Sequence, residues 1–340
     1  MKKWMIYGAN GYSGRLIAKF AKKQGFSPIL AGRNKEILQT MSQDLGLEYR
    51  VFSLDDADIA AYLKDMDAVI NCAGPFSATA LVMIKACIQS QTHYLDITGE
   101  INVFEMAHSF DAMAKEAGIV ICPGVGFDVI PTDCLASRLK DLMPDATHLV
   151  LGFDSKSGFS PGTAKTSLEG LSQGGRVRKN GEIIKVPLAY KTRKINFGAG
   201  EKLAMTIPWG DVSTAYFTTN IPNIEVYIPA SPNLVKKLKR MNYIRLLLGL
   251  GFVQKLLKKR IEKSVKGPNE EQRAKLKTYV WGEVKNSEGQ TKSLKIETDN
   301  GYTLTMIGGL KMIEHVLETK KSGYYTPSTL VNNQLIDELE

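Results

Sequence analysis

The sequence predicts an α/β fold in two parts: an N-terminal parallel sheet with helices on both faces, then a second α+β domain built on a largely antiparallel sheet. Three observations predict it. From the N-terminus to Gly126, short apolar runs alternate with helical patterns. Three glycines, Gly8, Gly11 and Gly14, stand between the first apolar run and the first helical pattern. After Gly126 the runs lengthen and fill with β-branched and aromatic residues.

The elements follow in order. "WMIY" (4–7) reads as the first strand, and 12–24 places Leu16, Ile17, Phe20 and Ala21 on one helical face. "SPILAG" (27–32), "EYRVFSL" (48–54), "DAVINCA" (67–73), "THYLDI" (92–97) and "GIVICPG" (118–124) read as strands two to six, with helices over 34–45, 77–90 and 102–117. Right-handed crossovers between parallel strands give an open twisted sheet. Beyond it, a helix is predicted over 131–142 and strands over 147–153, 182–190, 212–219 and 223–229. A hairpin turning near Gly289 and one more strand fill 277–305, and an amphipathic helix opens the tail. The expected domains are 1–126, with 306–340 packing back on it, and 127–305.

Bulk composition agrees with two globular cores. The chain has 340 residues, 44% apolar and 23% charged, which argues against disorder. The opening apolar stretch breaks at Gly8, too early for a secretory leader, so it reads as a first strand in a cytoplasmic protein. Cys72, Cys87, Cys122 and Cys134 form no CxxC pair and read as buried reduced thiols. His93, His108, His148 and His315 are scattered singly, so no metal is expected.

The glycines carry the first chemical argument. A glycine leaving the strand permits a tight turn, a second lets a pyrophosphate approach the backbone, and a third lets helix and strand pack closely. The helix N-terminus adds N–H groups and partial positive charge. Gly8, Asn10, Gly11, Tyr12, Ser13 and Gly14 are therefore candidate cofactor residues of a Rossmann-type domain. The end of strand two selects the nucleotide. A site for NAD usually offers a carboxylate to the ribose there, whereas this chain offers Arg33 and Asn34. A guanidinium forks onto a 2′-phosphate, so the expected cofactor is NADP(H).

The remaining strand ends supply further candidates. Asn71, Ala73, Gly74 and Pro75 would line the nicotinamide ribose. Asp96, Thr98, Glu100, Asp128 and Asp133 could converge near the nicotinamide, each as a proton donor or a substrate ligand; Asp96, Thr98 and Glu100 are the substrate candidates, and Asp128 is the first candidate for a catalytic side chain. Each of these has a structural alternative as a helix cap, the reading preferred for Thr132 or Asp133.

The combination of "GANGYSGRLIA", "LAGRN", "NCAGPF", "YLDITGE" and "GFDVIPTD" resembles the saccharopine dehydrogenase-like family. "GTAKTS" (162–167), "PWGDVSTAYFTTNIPNIEVYI" (208–228), "GPNEEQR" (267–273) and "DNGYTLT" (299–305) are similar to its trans-acting enoyl reductase branch. The resemblance implies a Rossmann domain, a substrate domain and NADPH-dependent reduction of a carbon–carbon double bond on an acyl chain. In that chemistry Thr163 or Lys165 would assist at the developing oxyanion. Two other functions stay open: an oxidoreductase acting at a C–N bond of an amino acid or imine, and a membrane-associated protein that binds NADP without turnover.

One segment stands apart. Residues 236–277 hold fourteen Lys/Arg against three Glu, a net +11 in a chain of formal charge +9, so the rest of the chain is slightly acidic. Within 234–263, "LVKKLKRMNYIRLLLGLGFVQKLLKKRIEK", an apolar stripe faces lysines and arginines. It reads either as amphipathic helices covering the second domain or as a peripheral contact with an anionic membrane or acyl chain. No nucleic-acid-reading motif accompanies it. An exposed strand of the second sheet leaves pairing in a homodimer open.

Overall fold

The computed structural model describes residues 2–155, 168, 170–245, 249–264 and 276–339. Two compact units divide the chain: Met1–Ile130 together with Tyr302–Leu339, and Pro131–Gly301.

The first unit is built on a seven-stranded parallel sheet. Strands β1 (Trp4–Tyr7), β2 (Ile29–Gly32), β3 (Tyr49–Val51), β4 (Ala68–Asn71), β5 (His93–Asp96) and β6 (Val120–Cys122) alternate with helices α1 (Tyr12–Lys23), α2 (Lys35–Leu45), α3 (Ile59–Leu63), α4 (Phe76–Ser90), α5 (Ile101–His108) and α6 (Asp111–Ala117). Strand order runs β3-β2-β1-β4-β5-β6, with Gly323–Tyr324 from the tail as the strand beyond β6. Both faces of the sheet are covered, so β1, β2 and β4 are buried along their whole length. Ile17, Ala18 and Ala21 of α1 are fully enclosed, at the four-residue spacing that sets one helix face against the sheet.

Two differences from the sequence reading concern this unit. The helix expected over 102–117 is broken into α5 and α6 at Ser109–Phe110. The strand expected at the end of 277–305 is absent. "DNGYTLT" instead opens an 18-residue helix, Gly301–Glu318. Gly308 in that helix permits a close approach, because a Cβ there would stand 2.6 Å from Ile130 Cδ1.

The second unit carries a mixed sheet in the order β10-β11-β12-β7-β13-β14. Its strands are β7 (His148–Ser155), β8 (Gly175–Lys179), β9 (Glu182–Val186), β10 (Thr192–Asn196), β11 (Glu201–Ile207), β12 (Asn223–Pro229), β13 (Thr278–Lys285) and β14 (Thr291–Thr298). Only β7 with β12 pairs in parallel among the described strands of this sheet. The hairpin β13–β14 turns through Gly289, whose φ of +86° favours glycine. Helix α7 (Ile130–Leu142) lies close to β13 where Gly282 has no side chain, since a Cβ there would meet Leu139 Cδ1 at 2.6 Å. Ile195, Phe197, Ala204, Tyr227 and Trp281 form one apolar cluster of this unit.

"VSTAYFTT" is a correction. Its β-branched and aromatic residues suggest a strand, yet Asp211–Thr219 is a helix. Residues Asp211 to Ala215 are all buried. Arg178 also donates from Nε to the Val212 carbonyl at 2.8 Å and stacks its guanidinium on Tyr216. Burial and these contacts outweigh a propensity difference of a few tenths of a kcal/mol per residue.

Candidate functional site

The sheet order reverses between β1 and β4, and open α/β sheets hold their ligands in the crevice outside the strand ends at such a point. Here the two loops touch. Gly8 leaves β1 with φ +78°, and a Cβ on it would lie 2.8 Å from the Ala73 amide nitrogen. Gly8 N–H donates to the Ala31 carbonyl at 2.8 Å, tying the turn to β2. Gly11 N–H donates back to the Gly8 carbonyl at 2.9 Å, which closes the turn. A Cβ on Gly14 would stand 2.4 Å from that same carbonyl oxygen, so only glycine lets α1 start against β1.

The start of α1 is prepared for an anion. Gly11 caps it without a side-chain hydrogen bond, and the first turn carries no acid. The helix's partial positive charge at such a start favours an anion. Asn10, Gly11, Tyr12 and Ser13 are half-buried around this start. The Tyr12 ring meets Tyr302 edge-on at 5.0 Å.

At the end of β2, Arg33 is exposed and lies near enough to Tyr7 to oppose the upward push of burial on that phenol. Its neighbour Asn34 caps α2, accepting from Ile37 N–H at 3.0 Å. Asn34 Oδ1 is therefore engaged by the fold, with Arg33 exposed beside it. Neither position carries a carboxylate.

In the loop after β4, Asn71 is engaged by the protein itself. That side chain is fully buried. Its oxygen accepts from Ala73 N–H at 3.0 Å, while its amide donates to Thr79 Oγ1 at 3.2 Å and to the Tyr94 phenol. Thr79 in turn donates to the Ala73 carbonyl at 2.7 Å. Asn71 therefore shapes the loop from within. Ala73 and Pro75 are half-buried and Gly74 is exposed at the loop's outer edge.

Asp96 and Glu100 are likewise engaged by the protein. Asp96, fully buried at the end of β5, accepts from Thr98 N–H and Gly124 N–H at 2.9 Å each and from Tyr94 O–H at 2.7 Å. Burial raises its pKa to about 6, and these donors hold it from rising further. Thr98 is buried as well, and its hydroxyl accepts from Glu100 N–H at 3.0 Å. The Glu100 carboxylate accepts from Phe76 N–H at 2.8 Å and Ser77 N–H at 2.9 Å, capping α4 from outside its own chain segment. These three lock the loops after β4, β5 and β6 together.

Asp128 differs. It follows β6, is half-buried, and rests on Gly99, where a Cβ would stand 2.9 Å from its Oδ2. Burial pushes its carboxyl up to about 7, so it changes charge near neutral pH. The adjoining Phe127 N–H donates to Thr305 Oγ1 at 3.1 Å. The sequence placed Thr305 in a strand of the other domain, so its part in fixing this loop was missed.

Thr163 and Lys165 lie outside the described residues. Asp133 sits in the first turn of α7 and accepts from the Thr218 hydroxyl. Among the described residues no group of three or more His, Cys, Asp or Glu is placed to hold a metal ion. Cys87, Cys122 and Cys134 are buried, and burial pushes the Cys72 and Cys87 thiols far above their ordinary range.

A parallel sheet with a glycine turn at its switch point and an uncapped helix start beside it defines a dinucleotide-binding domain of the Rossmann class. Residues 4–122, within the first unit, match the family described as saccharopine dehydrogenase NADP binding domain, and the cofactor is NADP(H). The chain is 26% identical over 275 residues to a lipid droplet localized protein of Caenorhabditis elegans, covering 71% of this chain and 63% of that one. It is 29% identical over 203 residues to a saccharopine dehydrogenase-like oxidoreductase of Rattus norvegicus, covering 52% and 47%. It is 31% identical over 186 residues to a trans-acting enoyl reductase of Mycobacterium bovis, covering 49% and 44%. The chain thus spans less than two thirds of the length of these relatives. Apo saccharopine dehydrogenase (L-Glu forming) from Saccharomyces cerevisiae shares the fold, with a TM-score of 0.66 at 12% identity over 100% of this chain and 96% of that one.

The residues present fit NADP. The turn at Gly8, Gly11 and Gly14 has no side chain where the pyrophosphate lies in this class of domain, and the end of β2 offers an exposed Arg33 and no carboxylate.

Proposed function

We propose that the chain is an NADP(H)-dependent oxidoreductase that reduces a carbon–carbon double bond of an acyl substrate. NADPH, when bound, supplies the hydride. The amides at the start of α1 bind its diphosphate, and Arg33 selects the phosphorylated nucleotide. The observation that carries the reading is the division among the strand-end carboxyls. Asp96 and Glu100 accept hydrogen bonds that hold three loops in place, whereas Asp128 sits beside them with a pKa raised to about 7. A carboxyl near that value holds a proton at neutral pH and can give it up, which is what protonation of the substrate carbon next to a thioester requires. Two relatives' names, one referring to lipid droplets and one to an enoyl group, favour an acyl substrate over an amino acid.

The test is steady-state oxidation of NADPH with short and long enoyl thioesters, run beside imines and amino acids with NADP. Turnover of the enoyl thioesters alone supports the reading. Turnover confined to the C–N substrates would transfer the site to imine or amino-acid chemistry, and tight NADPH binding with no turnover on either set would make the protein a binding module.

A further inference from the structure

Helix Pro232–Met241 in the second unit is held firmly on one side. Val235 is buried with Ala189 and Met205, and Leu238 packs against the same cluster. Its start is capped by Ser231, which accepts from Leu234 N–H at 3.2 Å. Its end is pinned by Asn242, whose side chain accepts from Leu188 N–H at 2.8 Å and donates to the Leu188 carbonyl at 3.2 Å. The outer face is therefore set in orientation.

On this helix and just beyond its end, exposed apolar side chains accompany one sign of charge. Tyr243 is 91% exposed, Ile244 53% and Leu234 40%. Asn233, Lys236, Lys237, Arg240, Met241 and Ile244 line a shallow depression along it. Leu250 and Leu256, from the following segment, are also exposed, at 43% and 58%. Between Pro232 and Arg260 there are nine Lys/Arg and no Asp or Glu. No described helix is long and apolar enough to cross a membrane.

We propose that this face docks on the surface of an anionic lipid bilayer, with Tyr243 and Ile244 entering the interface and Lys236, Lys237 and Arg240 meeting the headgroups. Charge complementarity selects the occupant. Each Lys or Arg near an anionic leaflet contributes favourably, and an exposed aromatic beside an aliphatic residue gains by entering the headgroup boundary. A polyanion such as RNA would satisfy the charges and could stack on Tyr243, but it offers no apolar phase for the aliphatic Ile244, which a bilayer interface does. The proposal stands apart from the reading of the reaction, since it concerns only residues of the second unit.

The experiment uses the full chain with phosphatidylcholine vesicles, pure or mixed with phosphatidylglycerol. Binding is expected only to the mixed vesicles and should fall with added salt. K236E/K237E/R240E should weaken it about a hundredfold. Y243A/I244A should weaken vesicle binding while retention on heparin is unchanged. NADPH affinity, read in parallel, reports that the first unit is intact. A gain-of-signal variant, Tyr243→Trp, should show added fluorescence quenched by brominated acyl chains. Equal binding to neutral vesicles, no vesicle binding, an unquenched Tyr243→Trp, or heparin and vesicle affinities that fall together in Y243A/I244A would each overturn the proposal.

Discussion

Asp96 Oδ1 accepts the Gly124 N–H at 2.9 Å, so a buried carboxylate at the end of one strand holds the loop leaving the next. The same oxygen accepts from Thr98, and the other from Tyr94. Removing a buried acceptor leaves several donors unpaired at roughly 1–3 kcal/mol each. Asp96→Ala should therefore lower stability by about 3 kcal/mol or more, measured by urea unfolding. Asp96→Asn, which keeps one acceptor, should lose clearly less.

Gly14 offers a second check. A Cβ there would stand 2.4 Å from the Gly8 carbonyl oxygen, which is backbone and cannot swing away. Gly14→Ala should push α1 from the turn, costing about 1–3 kcal/mol and abolishing measurable NADPH binding. Gly25→Ala is a poor control because its φ is +87°, whereas Gly170 has open space and a backbone without that restriction. Gly170→Ala should leave nucleotide affinity within twofold of the parent, read by protein fluorescence on NADPH titration.

For Asp128 the sign of the pH effect can be stated. Its carboxyl is raised to about 7 in the folded chain from an ordinary value near 3.8. Below both values the group is protonated folded and unfolded. Between them only the folded chain keeps the proton, so its contribution to stability is lost as pH rises through about 7. As a proton donor it should also make kcat fall above that pH. Asp128→Asn should reduce kcat by about 10²–10⁴-fold and flatten the limb, with the NADPH dissociation constant little changed.

The parallel sheet was legible because its period and its glycine turn are local signals. β1, β4 and α1 read directly from apolar runs and spacing. The helix Asp211–Thr219 did not, since its β-branched residues are overruled by burial and by Arg178. Gly323–Tyr324 is too short to carry a pattern, and only its pairing with β6 makes it a strand. At the site, sequence supplied the cofactor type and singled out the ends of β1, β2 and β4 to β6 as candidates. It could not separate Asp128 from Glu100, because capping of α4 by Glu100 joins residues 24 positions apart. The hydrogen bonds of Asn71 were hidden for a related reason: its partners Thr79 and Tyr94 become neighbours only once the chain has folded.

The selection of NADP by Arg33 is tested most directly by calorimetry of NADPH and NADH on the parent chain and on Arg33→Ala. A charge-assisted contact to the 2′-phosphate is worth about 1.5–3 kcal/mol. The parent should prefer NADPH, and Arg33→Ala should raise the NADPH dissociation constant by about 10–100-fold while leaving NADH nearly untouched. Equal weakening of the two nucleotides, or no uptake of either by the parent chain, would contradict it.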